Sequence, residues 1–266
     1  MYLTRIFLLV YVLLNGLCFH LAAQPRTIAS IPLPPGFKRV EQPAGSFGAW
    51  LRSRPLKKDN TVYLYDGRLK RNQTAQYAVM DISVGKKDLQ QCADAVIRLR
   101  AEYLYDSGAY DKIAFHATDG SLMDYRSWMQ GYRFRLKGQH LAKVKAATPC
   151  SNSACFAAYL ETVFSWAGTL SLSRELLPVK DTRNITPGNV FIRGGAPGHA
   201  VTVVDVAQNA AGQRIFLLAQ SYMPAQDIHV LKNPAAASPW YAAGFTGKMV
   251  TPEWVFDAGE LAAFSR

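Results

Sequence analysis

The chain has 266 residues and a formal charge of +11. That length holds one substantial domain with a full core, or two small ones. The charge favours anionic partners such as wall polymers or membrane surfaces. Nucleic acid is not the expected partner, since no zinc-finger spacing or Arg-rich recognition helix supports DNA binding. Simple solubility is the plain alternative reading.

The first segment reads as a secretory signal. Arg5 supplies a positive n-region, Ile6 to Leu17 is apolar, and Leu21-Ala22-Ala23-Gln24 offers cleavage after Ala23. The apolar run is too short for a membrane span, and no later run reaches that length. Leu17 before Cys18 argues against lipidation, and cleavage after Ala23 removes Cys18. The expectation is a signal over 1–23, then a single domain over 24–266, exported to the periplasm or beyond and soluble.

Pro32, Pro34 and Pro35 predict an extended entry segment. Gly45 to Leu51 reads as a short helix or turn with Phe47 and Trp50 inward. Thr61–Tyr65 and Ala75–Val84 read as strands. Asp88 to Asp106 carries the clearest helical period, with Asp88 at its cap and Cys92 on its apolar face. Ile113–His116 reads as a short strand, and His116 as a surface or hydrogen-bonded histidine. Tyr125 to Arg135 alternates aromatics with arginines. It suits a strand or helix with buried rings and solvated guanidiniums, or a groove for glycans or anionic groups.

A helix face starts at Cys155, is interrupted at Gly168, and stops at Pro178. Val190–Ile192 forms a short strand. The glycine-rich stretch Gly194–Gly198 lacks the Gly-Lys-Ser/Thr element of a phosphate loop. Ala200–Val206 and Arg214–Ala219 are strong strands with a turn over Asn209–Gly212. Pairing them about a centre between residues 209 and 210 puts His199 opposite Gln220 and Thr202 near Leu217. A one-residue slip would part the polar pair. His229 suits packing, and Trp240, Trp254 and Phe256 anchor the C-terminal region. The fold class is α+β, with an antiparallel sheet and packed helices.

Three cysteines remain after signal removal: Cys92, Cys150 and Cys155. Either Cys150 pairs with Cys155 across the short PCSNSAC loop, or Cys155 is a free nucleophile. A cysteine at a helix N-terminus gains thiolate character from the peptide dipoles. Cys155 with His199 and Gln220 then satisfies the logic of a Cys-His-polar arrangement. Ser153, or the backbone near Cys155, is the candidate oxyanion donor. Asp205 and Ser221 are weaker partners for His199, since Asp205 lies about 20 Å along an extended strand. No metal or cofactor is expected. His199 has no Glu-x-x-His partner, and Asp227 with His229 lacks a third ligand.

Pro187-Gly188-Asn189-Val190 and Gly198-His199-Ala200-Val201 resemble the second half of the NlpC-like branch of the papain-like superfamily. Asn189 stands where that branch carries an acid, and Cys155-Phe156-Ala157 departs from its Cys-Ser-Gly context. The resemblance implies a cysteine peptidase or amidase acting on cell-wall peptides. LQQCADAVIRLRAEYL, VFSWAGTLSLSREL, PGHAVTVVDVA and LLAQSYMPAQDIHVLKNP resemble a large family of exported bacterial proteins, domain of unknown function 4846. That resemblance implies an envelope location and no particular activity. A non-catalytic envelope binding protein, holding wall peptide or glycan, is the alternative.

Overall fold

The computed structural model describes residues 26–265. The expected signal over 1–23, with Cys18, lies outside the described residues. The elements in order are β1 (Phe37–Arg39), α1 (Phe47–Arg52), β2 (Gln76–Val79), α2 (Cys92–Asp106), β3 (Ala114–His116) and β4 (Leu122–Asp124). Then come α3 (Tyr125–Met129), β5 (Tyr132–Lys137), β6 (His140–Lys145), α4 (Ser153–Trp166), α5 (Thr169–Glu175) and β7 (Leu177–Pro178). The last part holds β8 (Val190–Arg193), β9 (His199–Asn209), β10 (Arg214–Gln220), β11 (His229–Leu231), β12 (Tyr241–Ala242), β13 (Lys248–Val250), β14 (Val255–Asp257) and β15 (Leu261–Ala263).

One nine-stranded antiparallel sheet organises this single α+β domain. Its order is β2-β11-β10-β9-β8-β15-β7, with β1 also on β9 and β12 also on β10. The two long central strands are buried on both faces, which explains their near-continuous apolar runs. On one face α2 lays Ala95 and Leu99 against Val204, Leu217 and Val230. Its neighbours Ala93 and Val96 join Val190, Ile192 and Ala200. On the other face Val201, Val203, Phe216 and Leu218 meet Phe191, Met249 and Phe256. Among the described residues no helix is long and apolar enough to cross a membrane.

Three local readings change. Thr61–Tyr65 is not a strand but a stretch with isolated bridges. Side chains share in satisfying its backbone: Gln73 bonds both polar groups of Val62 and Asp227 accepts from the Tyr63 N–H, while the Leu64 and Tyr65 N–H groups donate to the Arg68 and Ala225 carbonyls. The long helix starts at Cys92 rather than near Asp88. The Asp88 carboxylate is held by the Ala225 N–H at 2.7 Å, while Asp94 reaches back to the Gln91 N–H at 3.0 Å and fixes the helix start. Tyr125–Arg135 divides into α3 and the first strand of a β5–β6 hairpin, with Tyr125, Trp128 and Phe134 in the core.

Cys150 and Cys155 are joined as a disulfide, with their Cα atoms 5.8 Å apart. The bond ties the loop after the β5–β6 hairpin to the first turn of α4. It fits an oxidising compartment. A loop this short constrains the unfolded chain by only about 2 kcal/mol. Reduction, or Cys150→Ser with Cys155→Ser, is therefore expected to lower stability by about that amount. Denaturant melts with and without reductant measure it.

Candidate functional site

Gln220 reaches His199 because β9 carries a bulge. From Arg214 to Leu217 the β10 residues pair with Gln208 to Asp205, and from Leu218 they pair with Val203 and Thr202. Val204 is thus the extra residue. Continuing the first register would set Gln220 opposite Thr202, on the face away from His199. The bulge shifts the count by one and puts Gln220 on the His199 side. The two residues are diagonal neighbours rather than directly opposed, and Thr202 faces Ala219, not Leu217. The bond itself forms: His199 Nε2 lies 2.8 Å from Gln220 Oε1.

The His199 ring is 1% exposed and lies among Tyr222, Trp254 and Phe256, with centroids 4.9, 5.2 and 5.8 Å away. Burial pushes its pKa down to about 4, against the smaller raising effect of Gln220. The imidazole is therefore neutral at neutral pH. Gly198 lets the strand enter here. A Cβ at that position would sit 2.4 Å from the Gly195 carbonyl and 2.4 Å from Thr169 Oγ1.

The cysteine at this place is Cys92. It is the first residue of α2, and α2 packs on the Ala200 face of β9. β10 ends before it would cover the start of β9, and there Cys92 lines one cavity with Gly198, the residue before His199. Burial pushes the thiol up, Asp94 adds to this, and the N–H groups of Ala93, Ala200 and Cys92 pull the other way. The thiol is neutral at neutral pH. Cys92 is free and only 8% exposed. The Tyr222 phenol, raised first by burial, also feels both Glu253 and Cys92. Among the described residues nothing hydrogen-bonds to His199 Nδ1, the Cys92 thiol included.

Behind His199 a directional polar chain runs into the core. Gln220 Nε2 donates to Glu253 Oε2 at 2.7 Å. Lys70 Nζ donates to the same oxygen at 2.6 Å, and Asn72 donates to Oε1 at 3.2 Å. Lys70 also lies 3.3 Å from His229 Nε2, while His229 Nδ1 sits 2.8 Å from the Asp227 carbonyl. That carbonyl only accepts, so Nδ1 of His229 carries the proton and Nε2 accepts from Lys70. Burial pushes His229 down to about 3, helped by the Lys70 cation.

Residues 28–263 match the family described as Domain of unknown function (4846). The chain belongs to that family. No curated protein and no solved structure matches the chain. The family match spans every residue of the site, from Lys70 to Glu253, so the site is a feature of this DUF4846 domain rather than of an appended segment.

Of the sequence-derived set, His199 and Gln220 come together and Cys155 does not join them. Its sulfur is held in the disulfide, so it presents no thiolate in this form. Cys155 and Phe164 lie at opposite ends of α4, and only Phe164 lines the cavity at Cys92. Nine residues of helix put them about 13 Å apart. Ser153 starts that same helix, far from His199 as well. Asp205 is held by Arg39 and Arg52, and the Ser221 hydroxyl donates to backbone carbonyls. Neither is a partner of His199. His116 pairs with Glu175 at 3.5 Å on a half-exposed face. Among the described residues no group of three or more His, Cys, Asp or Glu could hold a metal ion.

A cavity of about 420 Å³ opens at Cys92, lined also by Asp94, Phe164, Thr169, Gly198 and Met223. A larger one, about 690 Å³, lies at the disulfide between Tyr110, Arg126, Tyr132 and Lys145. The smaller cavity is the better candidate, because a thiol lines it and an imidazole is adjacent in the chain. The larger offers ion-paired arginine and a tethered lysine. Sequence reasoning missed Cys92, Glu253 and Lys70. Gln91 with Asp94 three residues on, before the apolar period, is the signal that would have set Cys92 at a helix start.

Proposed function

We propose that this domain is a cysteine-dependent acyl-transfer enzyme, a peptidase or amidase, with Cys92 as nucleophile, His199 as base and Gln220 as the group holding the ring. One observation carries the reading. Cys92, the first residue of a helix, lines one cavity with Gly198, the residue before a histidine whose far nitrogen is already occupied. Both partners start neutral, so the proton moves as the bond forms rather than beforehand. Sulfur attacks the carbonyl carbon, the thiol proton passes to Nδ1 of His199, and the carbonyl oxygen gains charge. The Cys92 N–H, one of the helix's unpaired first-turn donors, suits that oxygen. The leaving amine takes the proton from His199, and water hydrolyses the thioester with the ring again as base. The arrangement agrees with the NlpC-like resemblance around Gly198-His199, with Cys92 in the role first given to Cys155. Wall peptides are the proposed substrates, and the disulfide supports a location outside the reducing cytoplasm.

Treatment with an activated ester such as p-nitrophenyl acetate, followed by intact-mass and peptide mapping, tests the reaction class without a known substrate. Acylation at Cys92 is expected, lost in Cys92→Ser and His199→Ala and kept in Cys150→Ser with Cys155→Ser. A wild-type protein that takes no acyl group on Cys92 sinks the reading. The burial of the thiol favours one other reading, a binding protein on the same scaffold, and that negative result is what it predicts.

A further inference from the structure

The orientation of the Gln220 amide decides which nitrogen of His199 carries the proton. Its two ends are chemically opposite: Oε1 only accepts and Nε2 only donates. With Oε1 toward the ring, His199 Nε2 must bear hydrogen, and Nδ1 is left as a bare lone pair. Turned over, the amide would donate to Nε2, and Nδ1 would hold the proton. Nothing in the His199–Gln220 pair itself prefers one arrangement. The preference comes from behind, where a carboxylate oxygen of Glu253 lies 2.7 Å from the Gln220 nitrogen. Turning the amide would press Oε1 against that carboxylate, two acceptors with no proton between them.

Glu253 is itself held in place. It sits in the turn between β13 and β14, where the Thr251 and Trp254 backbones bond each other. Its carboxylate accepts from Lys70 and Asn72, which come from the loop before β2. Lys70 is 6% exposed, and its second acceptor is His229 Nε2. His229 can accept because its Nδ1 proton is fixed on the Asp227 carbonyl. His229 Nε2 also faces the Gln220 nitrogen at 3.5 Å, so that lone pair is shared between two groups that only donate, and it too disfavours the turned amide.

We propose that Glu253, fixed by Lys70 and Asn72, is a positioning residue that orients Gln220 so that His199 presents an unprotonated Nδ1. Glu253 does not touch the reacting atoms. It acts through Gln220, and it matters for catalysis only if the cysteine chemistry proposed above holds. Removing it frees the amide to turn. The ring then populates the tautomer whose Nδ1 already carries a proton and cannot take one from a thiol.

The test is the histidine tautomer in full-length folded protein, read by two-dimensional ¹H–¹⁵N NMR on ¹⁵N-histidine-labelled samples, with His199→Asn to assign the signal. In the wild type, Nε2 of His199 is expected to be the protonated nitrogen. Glu253→Leu is expected to give a mixture containing the Nδ1–H form. Glu253→Gln keeps an oxygen acceptor available for Gln220 and Lys70 and is expected to keep the wild-type tautomer. Iodoacetamide labelling of Cys92 should slow by at least roughly tenfold in Glu253→Leu and stay near wild type in Glu253→Gln. A wild-type Nδ1–H tautomer overturns the proposal, and that measurement needs no variant to fold. An unchanged tautomer in folded Glu253→Leu overturns it too. If the tautomer follows Glu253 while Cys92 reacts no faster than an inert buried thiol, the positioning role stands and the hydrolase reading falls.

Discussion

Asp205→Ala is expected to lower the stability of the domain by about 3–5 kcal/mol. The carboxylate is fully buried on β9, and two arginines reach it from different elements. Arg39, at the end of β1, bonds Oδ2 at 2.7 Å through Nε. Arg52, at the end of α1, bonds Oδ1 through both Nε and a terminal nitrogen, at 2.9 and 2.6 Å. The Val206 N–H adds a further bond at 2.9 Å. Arg39 Nη2 also donates to the Ile31 carbonyl, and Arg52 Nη2 to the Val40 carbonyl. Beside the β1–β9 ladder, the N-terminal segment is thus fastened to the central strand through this one side chain. Removing it leaves two partly buried guanidiniums without their counter-charge, which costs more than the pair contributed. For a domain of this size the melting temperature should fall by on the order of 10 °C. Asp205→Leu combined with Arg39→Met and Arg52→Met should recover much of the loss, because no uncompensated charge remains. Thermal melts of the single and triple variants measure both. A single variant within about 1 kcal/mol of wild type would mean that water reaches the arginines and replaces the carboxylate. The chemistry should be unaffected in the folded fraction, since Asp205 lies six residues along the strand from His199.

How far the site was legible follows from which interactions are local. The β9–β10 hairpin is local, and its turn and alternation place His199 and Gln220 on paired strands without any tertiary information. The bulge at Val204 is not legible, because a run of AVTVVDV offers no residue that marks an extra position. The contact was nevertheless foreseen, since the true register near the site differs from the expected one by two residues and a shift of two preserves the face. Cys92, the nucleophile proposed above, was passed over for a related reason. Helical periodicity assigns Cys92 to an apolar face and says nothing about where the helix end meets a sheet 107 residues later in the chain. Cys150 and Cys155 are near each other in sequence, so the disulfide was open to local reasoning and Cys155 was the ambiguous member. Lys70 and Glu253 come from loops at opposite ends of the chain. Only the fold brings them to Gln220, and a lysine between Arg68 and Arg71 reads as one more solvated charge. The family match agrees with this division, covering the phrases that mark the fold while giving no activity.

Asp94→Asn is expected to change how stability depends on pH, and the sign can be worked out. Burial pushes Asp94 up to about 8 from an ordinary 3.8. Between those values the folded protein holds a proton there that the unfolded chain has released, so stability falls as pH rises. His199 and His229 act oppositely. Their folded values, about 4 and about 3, lie below the ordinary 6.5. Below pH 6.5 the unfolded chain takes up protons that the folded one refuses, so their contribution is complete above pH 6.5 and is lost toward pH 3. Glu175, also raised by burial ahead of the lowering effect of His116, adds to the Asp94 trend above its ordinary 4.5. The wild-type curve sums these opposing slopes, so its shape alone assigns nothing. The difference between wild type and Asp94→Asn isolates one carboxyl, because asparagine keeps an acceptor for the Gln91 N–H and cannot ionise. The variant should gain on the wild type by about 1.4 kcal/mol per pH unit between about pH 4 and about pH 8. Urea unfolding at half-unit steps across that range gives the difference directly. A difference that stays flat would mean Asp94 ionises near its ordinary value, with water or a cation reaching the start of α2. The same measurement then bears on Cys92 two residues away, because an ionised Asp94 would hold the thiol proton more tightly and oppose attack by sulfur.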